Sequence, residues 1–289
     1  MQRSSIRTLV LEFVDTNGAS HIRQMHIEIL RVKPGTPEHT IRARLSEAVS
    51  EGFLSRVGNG FYDIYAEEEG MTSVVSYPVR CSAWGDHRYR GNCDGRLPKN
   101  LILRYNARAV CDPMEGSGTV RDLVSGLNRY KKKDINYWGG DLRQGFDLTQ
   151  QEIPGRHDFI WLHPPYWNII CYGSGDTDLS DCPDYGAFRE LLMRCLHRCY
   201  EALLPGGRLA VLIGDVRRQG MYTAIIRDIL NFPEGEIRSI IIKVQHNCVS
   251  DRRSYGRMED VPIKHEYCVV FRKPVCEAKE IRTELFVRA

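Results

Sequence analysis

The spacing of apolar residues along the start of the chain changes from a helical period to a period of two. Apolar residues recur at helical spacing over positions 6–15, 21–30 and 39–52. Beyond the third stretch they alternate on either side of Gly58-Asn59-Gly60, which is typical of a β-hairpin. Three helices followed by a hairpin predict a small domain over residues 1–66.

A second pattern begins near residue 81, where short apolar strands alternate with helices. The stretch 185–203 carries apolar residues on one helical face, and a glycine-containing turn separates it from the next strand. This alternation predicts an α/β domain over 81–289 with a mainly parallel sheet, and the acidic stretch before it predicts a linker over 67–80. The six predicted strands are 109–111, 136–139, 158–162, 208–213, 239–244 and 267–271.

The composition is that of an ordinary globular chain. Of the 289 residues 42% are hydrophobic and 27% are charged, and no run approaches the ~20 apolar residues of a membrane helix. The start of the chain shows no secretory signal, so we expect a cytoplasmic protein of a prokaryote or phage with no membrane partner. The ten cysteines include no CxxC pair, which favours free thiols and no metal site.

The first motif with a chemical meaning is Asp112-Pro113-Met114-Glu115-Gly116-Ser117-Gly118-Thr119, between a predicted strand and a helix. Its glycines allow a tight turn, and the helix start offers free N–H groups to a ligand. The spacing is neither GxGxxG nor GK[ST], so it suits an adenosyl ligand without a pyrophosphate. Asp141 follows the next strand, where a carboxylate can hold the hydroxyl pair of a ribose.

The second motif is His163-Pro164-Pro165-Tyr166-Trp167, which directly follows an apolar strand. Two prolines fix the backbone and leave carbonyl groups free to accept hydrogen bonds from a ligand.

Together the two motifs resemble the amino-methylating DNA methyltransferases, which move a methyl group from S-adenosylmethionine to adenine N6 or cytosine N4. In that family the motifs read D-P-F-x-G-S-G-T and [D/N/S]-P-P-Y, so this chain places His163 at the variable position. The resemblance extends to residues 90–100 and 265–271 and covers about 200 residues. It implies a Rossmann-like class I methyltransferase fold for 81–289.

The resemblance also implies roles for individual residues. His163 and the Pro164 carbonyl would accept the hydrogens of the target amine while Tyr166 stacks on a flipped base. His163 as the proton acceptor, or as a structural residue only, stays open. The residues expected to take part in catalysis are His163, Pro164, Pro165 and Tyr166. Those expected to bind the cofactor are Asn92, Cys93, Asp112, Pro113, Met114, Gly116, Ser117, Gly118, Thr119 and Asp141.

The first 66 residues resemble winged helix-turn-helix domains that are found fused to restriction, modification and transcription proteins. The resemblance rests on residues 33–45 and 56–62, and it implies that the third helix and the hairpin contact duplex DNA. A wing that only packs on its neighbour stays open. The net charge of +3 does not predict nucleic-acid binding by itself. The residues expected to contact DNA are Thr40, Arg42, Arg44, Arg56, Trp167, Arg217 and Arg252.

We therefore expect a methyltransferase that acts on double-stranded DNA, as a monomer or homodimer, with or without a companion restriction endonuclease. Adenine N6 is preferred over cytosine N4 as the target because it is the commoner reaction in the family. Two alternatives stay open: an RNA amino-methyltransferase, and a DNA-binding regulator with an inactive methyltransferase fold.

Overall fold

The computed structural model describes residues 5–50, 53–67, 70–78, 80–81, 83–86, 88–173, 177–246 and 259–275. The N-terminal part consists of α1 (Ile6–Asn17), β1 (Ser20–His21), α2 (Ile22–Val32), α3 (Glu38–Ser50), β2 (Ser55–Gly58) and β3 (Phe61–Asp63). Strands β1 and β2 both pair with β3 in antiparallel fashion, so the predicted hairpin acquires a third short strand.

Side chains at the helix starts explain where the first helices begin. The Ser5 hydroxyl accepts a hydrogen bond from the amide of Thr8 at 3.1 Å, and the His21 ring accepts one from the amide of Arg23 at 3.2 Å. These contacts satisfy amides that have no partner inside the helix. The three predicted helices and the hairpin are confirmed as structural elements; their function as a DNA-binding winged helix stays a prediction.

The rest of the chain alternates strands and helices, as predicted. All six predicted strands are present, and the predicted helix over 185–203 is α6. The elements are β4 (Val74–Ser76), α4 (Arg96–Arg104), β5 (Ala109–Asp112), α5 (Thr119–Lys131), β6 (Asn136–Gly139), β7 (His157–Leu162), α6 (Tyr185–Ala202), β8 (Leu203–Ile213), β9 (Val216–Arg218), β10 (Met221–Thr223), α7 (Ile225–Leu230), β11 (Glu236–Val244) and β12 (His265–Arg272).

Seven of these strands form one sheet in the order β4-β11-β12-β8-β7-β5-β6. Strand β12 is antiparallel to both of its neighbours, and every other pairing in this sheet is parallel. The predicted Rossmann-like α/β fold with a mostly parallel sheet is therefore confirmed. Residues 67–80, for which we predicted a linker, include the edge strand β4, whose three residues are too few to produce a period.

Helices cover both faces of the large sheet. Along β8, Leu209, Val211 and Ile213 face one hydrophobic cluster, while Ala210 and Leu212 face the other. The cluster on the first face is completed by α6 and α7. The opposite cluster includes α4 and α5 and continues without a break into the three N-terminal helices. The N-terminal part thus shares a core with the sheet.

Buried polar contacts join the two parts at this shared core. The guanidinium of Arg96 is fully buried, lies 4.3 Å from the ring centres of both Phe53 and Tyr77, and is ion-paired with Asp94 at 2.8 Å. Lys99 donates a hydrogen bond to the carbonyl of Ile64 at 3.2 Å. Because a buried cation requires partners, these contacts fix the orientation of the N-terminal part.

The described residues include eight of the ten cysteines, and all eight are free thiols. Cys248 and Cys276 lie outside the described ranges. In the described part of the chain no three His, Cys, Asp or Glu side chains are grouped so that they could hold a metal ion. No helix there has the length and apolar character needed to cross a bilayer.

Candidate active site

A cleft opens at the carboxyl ends of β5, β6 and β7, the edge where open parallel sheets bind ligands. It encloses about 850 Å³ between the protein atoms, with its open mouth included. Both sequence motifs contribute to its wall, the glycine turn after β5 and His163 with Pro165 after β7.

The glycine turn depends on backbone conformations that side chains disfavour. Gly116 has a φ of 54° and Gly118 has a φ of 80°, and Gly118 is the residue from which α5 starts. A Cβ atom on Gly116 would come within 3.2 Å of the Tyr89 ring, so the missing side chain also lets that ring lie over the turn. The start of α5 and the floor of the cleft are therefore set by these two glycines.

Asp112 ends β5 and is a deeply buried acidic group of the cleft. It is 3% exposed, and its carboxylate accepts a hydrogen bond from the amide of Met114 at 3.3 Å. Burial, and secondarily repulsion from Glu115, raise the pKa of Asp112 well above its usual value. Among the described residues no cationic side chain is ion-paired with it. A cationic group of a ligand would stabilise this carboxylate.

Asp141 follows β6, as predicted, but its carboxylate already serves the turn. One oxygen accepts hydrogen bonds from the amide and guanidinium of Arg143 at 3.0 and 3.1 Å, and the other accepts from the amide of Gly116 at 3.1 Å. A carboxylate oxygen has two lone pairs, so the oxygen that bonds Gly116 can accept one further bond. Asp141 thus braces the glycine turn and keeps the capacity to accept a hydrogen bond from a hydroxyl group in the cleft.

An aromatic wall borders the same cleft, and the stacking contact that forms it has no local signal in the sequence. The rings of Tyr89 and Tyr172 stack with centres 5.9 Å apart, and the Arg143 guanidinium lies 4.6 Å from the centre of Tyr89. The Tyr172 hydroxyl donates to the carbonyl of Arg90 at 3.2 Å. These residues come from three separate loops, so no local pattern links them. Their number and planarity suit contact with a flat ring.

The His163-Pro164-Pro165-Tyr166 segment connects the cleft to the far strands of the sheet. The His163 Nε2 atom lies 3.0 Å from the Tyr166 hydroxyl, which donates to Glu266 of β12 at 2.9 Å. Lys243 of β11 donates to the other oxygen of that carboxylate. The Tyr166 ring packs on Gly214, where a Cβ atom would come within 2.7 Å of it. Tyr166 therefore lies behind His163 and is not part of the cleft wall.

The protonation states in this chain of groups follow from burial and from neighbouring charge. Burial lowers the pKa of His163 to about 4, so its ring is neutral at neutral pH. Although burial opposes it, the charge of Lys243 contributes most to lowering the pKa of Glu266 to about 2. The same carboxylate keeps the pKa of Lys243 above its usual value. An ammonium, a carboxylate, a hydroxyl and a neutral imidazole are thus connected in series.

Most of the predicted site residues meet in one place. Gly118, Pro164 and Tyr166 lie next to the cleft without lining it. Sequence reasoning assigned no role to several other wall residues, among them Glu115, Phe146, Asp147 and Asp178. The predicted residues that line the cleft are Asn92, Cys93, Asp112, Pro113, Met114, Gly116, Ser117, Thr119, Asp141, His163 and Pro165.

The predicted DNA contacts of the N-terminal part lie on α3 and β2. Thr40 is half-buried on α3, and on the same helix Arg42 pairs with Glu38 and Arg44 pairs with Glu47. Arg56 on β2 donates only to Asn59, at 3.4 Å, among the contacts of the described residues.

The predicted DNA contacts of the α/β part are held by the protein itself. Trp167 packs edge-on against Tyr185 with ring centres 5.6 Å apart, and its φ of 47° is unusual for a residue other than glycine. Arg217 donates to the carbonyl of Val261 at 3.1 Å and lies 3.6 Å from Asp260. Arg252 lies outside the described residues. The Trp167 ring and the Arg217 guanidinium thus both contact groups of the protein itself.

Comparison with known proteins gives matches to solved structures alone. No protein-family model and no curated protein matches the sequence. TrmN from Thermus thermophilus is 16% identical over 64% of this chain and 50% of its own length, with a TM-score of 0.36. A proposed DNA modification methylase from the same organism, complexed with S-adenosyl-L-methionine, is 21% identical over 61% of this chain and 59% of its own, with a TM-score of 0.32.

A further match is the N-methyltransferase NodS from Bradyrhizobium japonicum WM9 in complex with S-adenosyl-L-homocysteine. It is 13% identical over 62% of this chain and 88% of its own, with a TM-score of 0.34. This chain spans half of TrmN and about three fifths of the modification methylase. Because these TM-scores are below 0.5, the fold assignment rests on the strand order and the reversed β12, and the function has to be argued from the cleft.

Proposed function

We propose that this protein is an S-adenosylmethionine-dependent methyltransferase that modifies the exocyclic amine of a base in DNA. The observation that carries the proposal is that one cleft joins the two motifs, the glycine turn with Asp112 on one wall and His163 with Pro165 on another. They are separated by about 50 residues of sequence and come together because β5 and β7 are adjacent parallel strands.

The residues of the cleft fit the cofactor in charge and in shape. S-adenosylmethionine carries an ammonium and a sulfonium. Asp112 is buried, has a raised pKa and has no cationic partner among the described residues, so a cation beside it would stabilise its ionised form. Asp141 can accept a hydrogen bond from a ribose hydroxyl, and Tyr89 and Phe146 offer flat apolar surface to an adenine. When bound, the cofactor supplies an electrophilic methyl group and leaves as a neutral thioether.

The chain's own contribution to the reaction is to orient the target amine. The lone pair of an exocyclic amine is delocalised into its ring, so the amine needs acceptors that hold its hydrogens in an attacking geometry. His163 and the Pro164 carbonyl, at the end of β7, are the groups we assign to this task. The amine nitrogen gains the methyl group and releases one proton to water, because an imidazole with a pKa of about 4 is a weak base.

Double-stranded DNA is the substrate we favour, since the N-terminal part presents arginines on α3 and β2 in the manner expected of a winged helix. A base in a duplex reaches the cleft only after it has flipped out of the stack, which costs a few kcal/mol. Adenine N6 remains the preferred target.

The experiment that tests the reaction uses the full chain with isotope-labelled S-adenosylmethionine and, separately, duplex DNA, single-stranded DNA and RNA. Nucleoside mass spectrometry then names the modified base. We expect the label in an N6-methylated adenine from duplex DNA. Label in RNA alone would replace DNA by RNA as the substrate, and cofactor binding without any transfer would favour an inactive regulator.

The cofactor assignment has its own test in Asp112→Asn, which removes the buried charge and keeps the shape. We expect calorimetry to show an affinity for S-adenosylmethionine at least about 10-fold weaker, since a hydrogen bond to a charged group is worth ~1.5–3 kcal/mol. The matched control is Asp184→Asn, an exposed helix cap at the start of α6 where asparagine serves equally well. Equal affinities of the two variants would place the cofactor elsewhere.

A further inference from the structure

Four polar side chains from two strands and one loop form a continuous chain behind the cleft. Lys243 and Glu266 face each other across β11 and β12 in direct register. Their side chains are 13% and 11% exposed, and the Lys243 ammonium is ion-paired with the Glu266 carboxylate. Glu266 then accepts from Tyr166 at 2.9 Å, and Tyr166 lies 3.0 Å from His163 Nε2. The chain ends at the imidazole that lines the cleft.

The direction of every hydrogen bond in this chain follows from the number of hydrogens available. Lys243 offers donors only and the Glu266 carboxylate offers acceptors only. The Tyr166 hydroxyl has one hydrogen, and it donates this hydrogen to the carboxylate in a hydrogen bond. The hydroxyl oxygen can then only accept from His163, so the imidazole must carry its hydrogen on Nε2. A neutral imidazole with hydrogen on Nε2 has a bare lone pair on Nδ1.

That lone pair is the part of His163 left for a substrate. His163 is among the residues that line the cleft, and no described residue forms a hydrogen bond with Nδ1. The charged and titratable groups around the ring are Glu266 on β12, Lys243 on β11, Arg80 after β4, and Tyr166 on its own loop. The positive field of Lys243 and Arg80 opposes protonation of Nδ1, while Glu266 favours it.

We propose that Lys243 and Glu266 are positioning residues that act through Tyr166 to hold His163 in the tautomer whose bare Nδ1 accepts a hydrogen of the target amine. The assignment rests on the proposed function and adds a reason for the ionic pair. A buried ion pair is seldom more stable than two apolar side chains of the same volume, so stability alone does not account for it. A fixed donor direction does, because the Glu266 carboxylate can only accept and therefore turns the Tyr166 hydroxyl hydrogen away from His163.

The test exchanges the two charges in the double variant Lys243→Glu/Glu266→Lys. The cross-strand ion pair is retained, but the lysine introduced at 266 offers only donors, so the Tyr166 oxygen accepts and its hydrogen turns to His163 Nε2. The imidazole hydrogen is then forced onto Nδ1. Nitrogen-15 NMR of histidine-labelled protein reads the protonated nitrogen of His163 directly, with His163→Asn used to assign the signal.

We expect the exchange to move the hydrogen from Nε2 to Nδ1 and to lower kcat about 100-fold, the scale of a lost orienting acceptor. The dissociation constant of S-adenosylmethionine should change less than about threefold, since neither Lys243 nor Glu266 lines the cleft. A purely structural pair would leave both the tautomer and kcat unchanged, and that result overturns the proposal.

A second variant keeps the test decisive if the exchanged pair does not fold. Tyr166→Phe retains Lys243 and Glu266 but removes the acceptor next to His163 Nε2, so we expect a mixture of tautomers. An imidazole that stays fully in the Nε2–H form in this variant also overturns the proposal. If the wild-type protein transfers no methyl group, the proposed function fails, while the NMR result still decides whether the chain fixes the tautomer.

Discussion

Two ion pairs in this molecule have the same chemistry and opposite surroundings. Arg44 and Glu47 lie one turn apart on α3, and their side chains are 43% and 42% exposed. Lys243 and Glu266 come from different strands and are less than one-seventh exposed. The first pair is attached to nothing else among the described contacts, whereas the second continues through Tyr166 to the cleft.

The difference shows which charges are available for binding and which are committed to the structure. An exposed pair is screened by water and salt and contributes little to stability, so an arginine can leave it for a phosphate at small cost. In a buried pair each ion depends on its partner, because the alternative is an unsolvated charge. The arginines of α3 can therefore serve a mobile contact, and Lys243 cannot.

The largest expected effect that distinguishes the two regions is on stability. Lys243→Met should lower the free energy of unfolding by about 3–5 kcal/mol, because it leaves the Glu266 carboxylate buried without its cation. Arg44→Met is the matched control, and it should change the same quantity by less than about 0.5 kcal/mol. Denaturation in urea measures both. Equal effects would mean that Glu266 finds another partner and that the buried pair stabilises the fold no more than the exposed pair does.

The fold could be predicted from the sequence where a local period carries the information. The strand over 158–162 is buried on both faces and the predicted helix over 185–203 is buried along one face. Their apolar spacing therefore predicts the elements β7 and α6. The short strand β4 gave no such signal, since three residues cannot establish a period. Its pairing with β11 depends on residues about 170 positions away, beyond the reach of any local pattern.

The site was predictable to the extent that the backbone defines it. The glycine turn and the two prolines fix the chain locally, and the structure brings both motifs to one cleft. What could not be predicted are contacts between distant elements. In the sequence Glu266 is a single polar residue within a predicted strand. No local pattern connects it to Tyr166, which lies one hundred residues earlier. The Tyr89 and Tyr172 stack was missed for the same reason.

The next effect in size is on the pH dependence of stability. Because the pKa of His163 is lowered to about 4 in the folded protein, the unfolded chain binds a proton between pH 6.5 and 4 that the folded chain does not. Stability should therefore fall as the pH decreases through that window, with a slope that approaches ~1.4 kcal/mol per pH unit. His163→Asn should reduce this slope when unfolding is measured across pH 4 to 7, and part of the remaining slope comes from His157, whose pKa is also lowered by burial.

A second histidine provides the control for that measurement. His39→Asn replaces an exposed imidazole on α3 and should leave the acid slope in place. Glu266 acts in a lower window: its pKa of about 2 stabilises the folded state above pH 4.5, and the stability is lost as the pH falls towards 2. A slope between pH 6.5 and 4 that is undiminished in His163→Asn would show that other groups carry it.

The smallest expected effect concerns the arginines of the N-terminal part, which differ among themselves. Arg56 on β2 contacts only Asn59 and forms no ion pair with a carboxylate in the described part of the chain. Arg42 is held by Glu38 one turn earlier on α3. A phosphate can therefore be neutralised by Arg56 directly, while Arg42 must first exchange one anion for another.

If this part contacts DNA, Arg56→Ala should reduce the slope of log binding constant against log salt concentration by about 0.9, the value for one lost phosphate contact. Arg42→Ala should reduce it by less, because the glutamate has already neutralised part of that charge. Fluorescence anisotropy between about 50 and 200 mM salt measures both slopes. Equal reductions would show that the ion pair with Glu38 does not weaken the contact of Arg42 with a phosphate. Unchanged slopes in both variants would mean that neither Arg42 nor Arg56 contacts a phosphate, since a lost phosphate contact cannot leave the salt dependence unaltered.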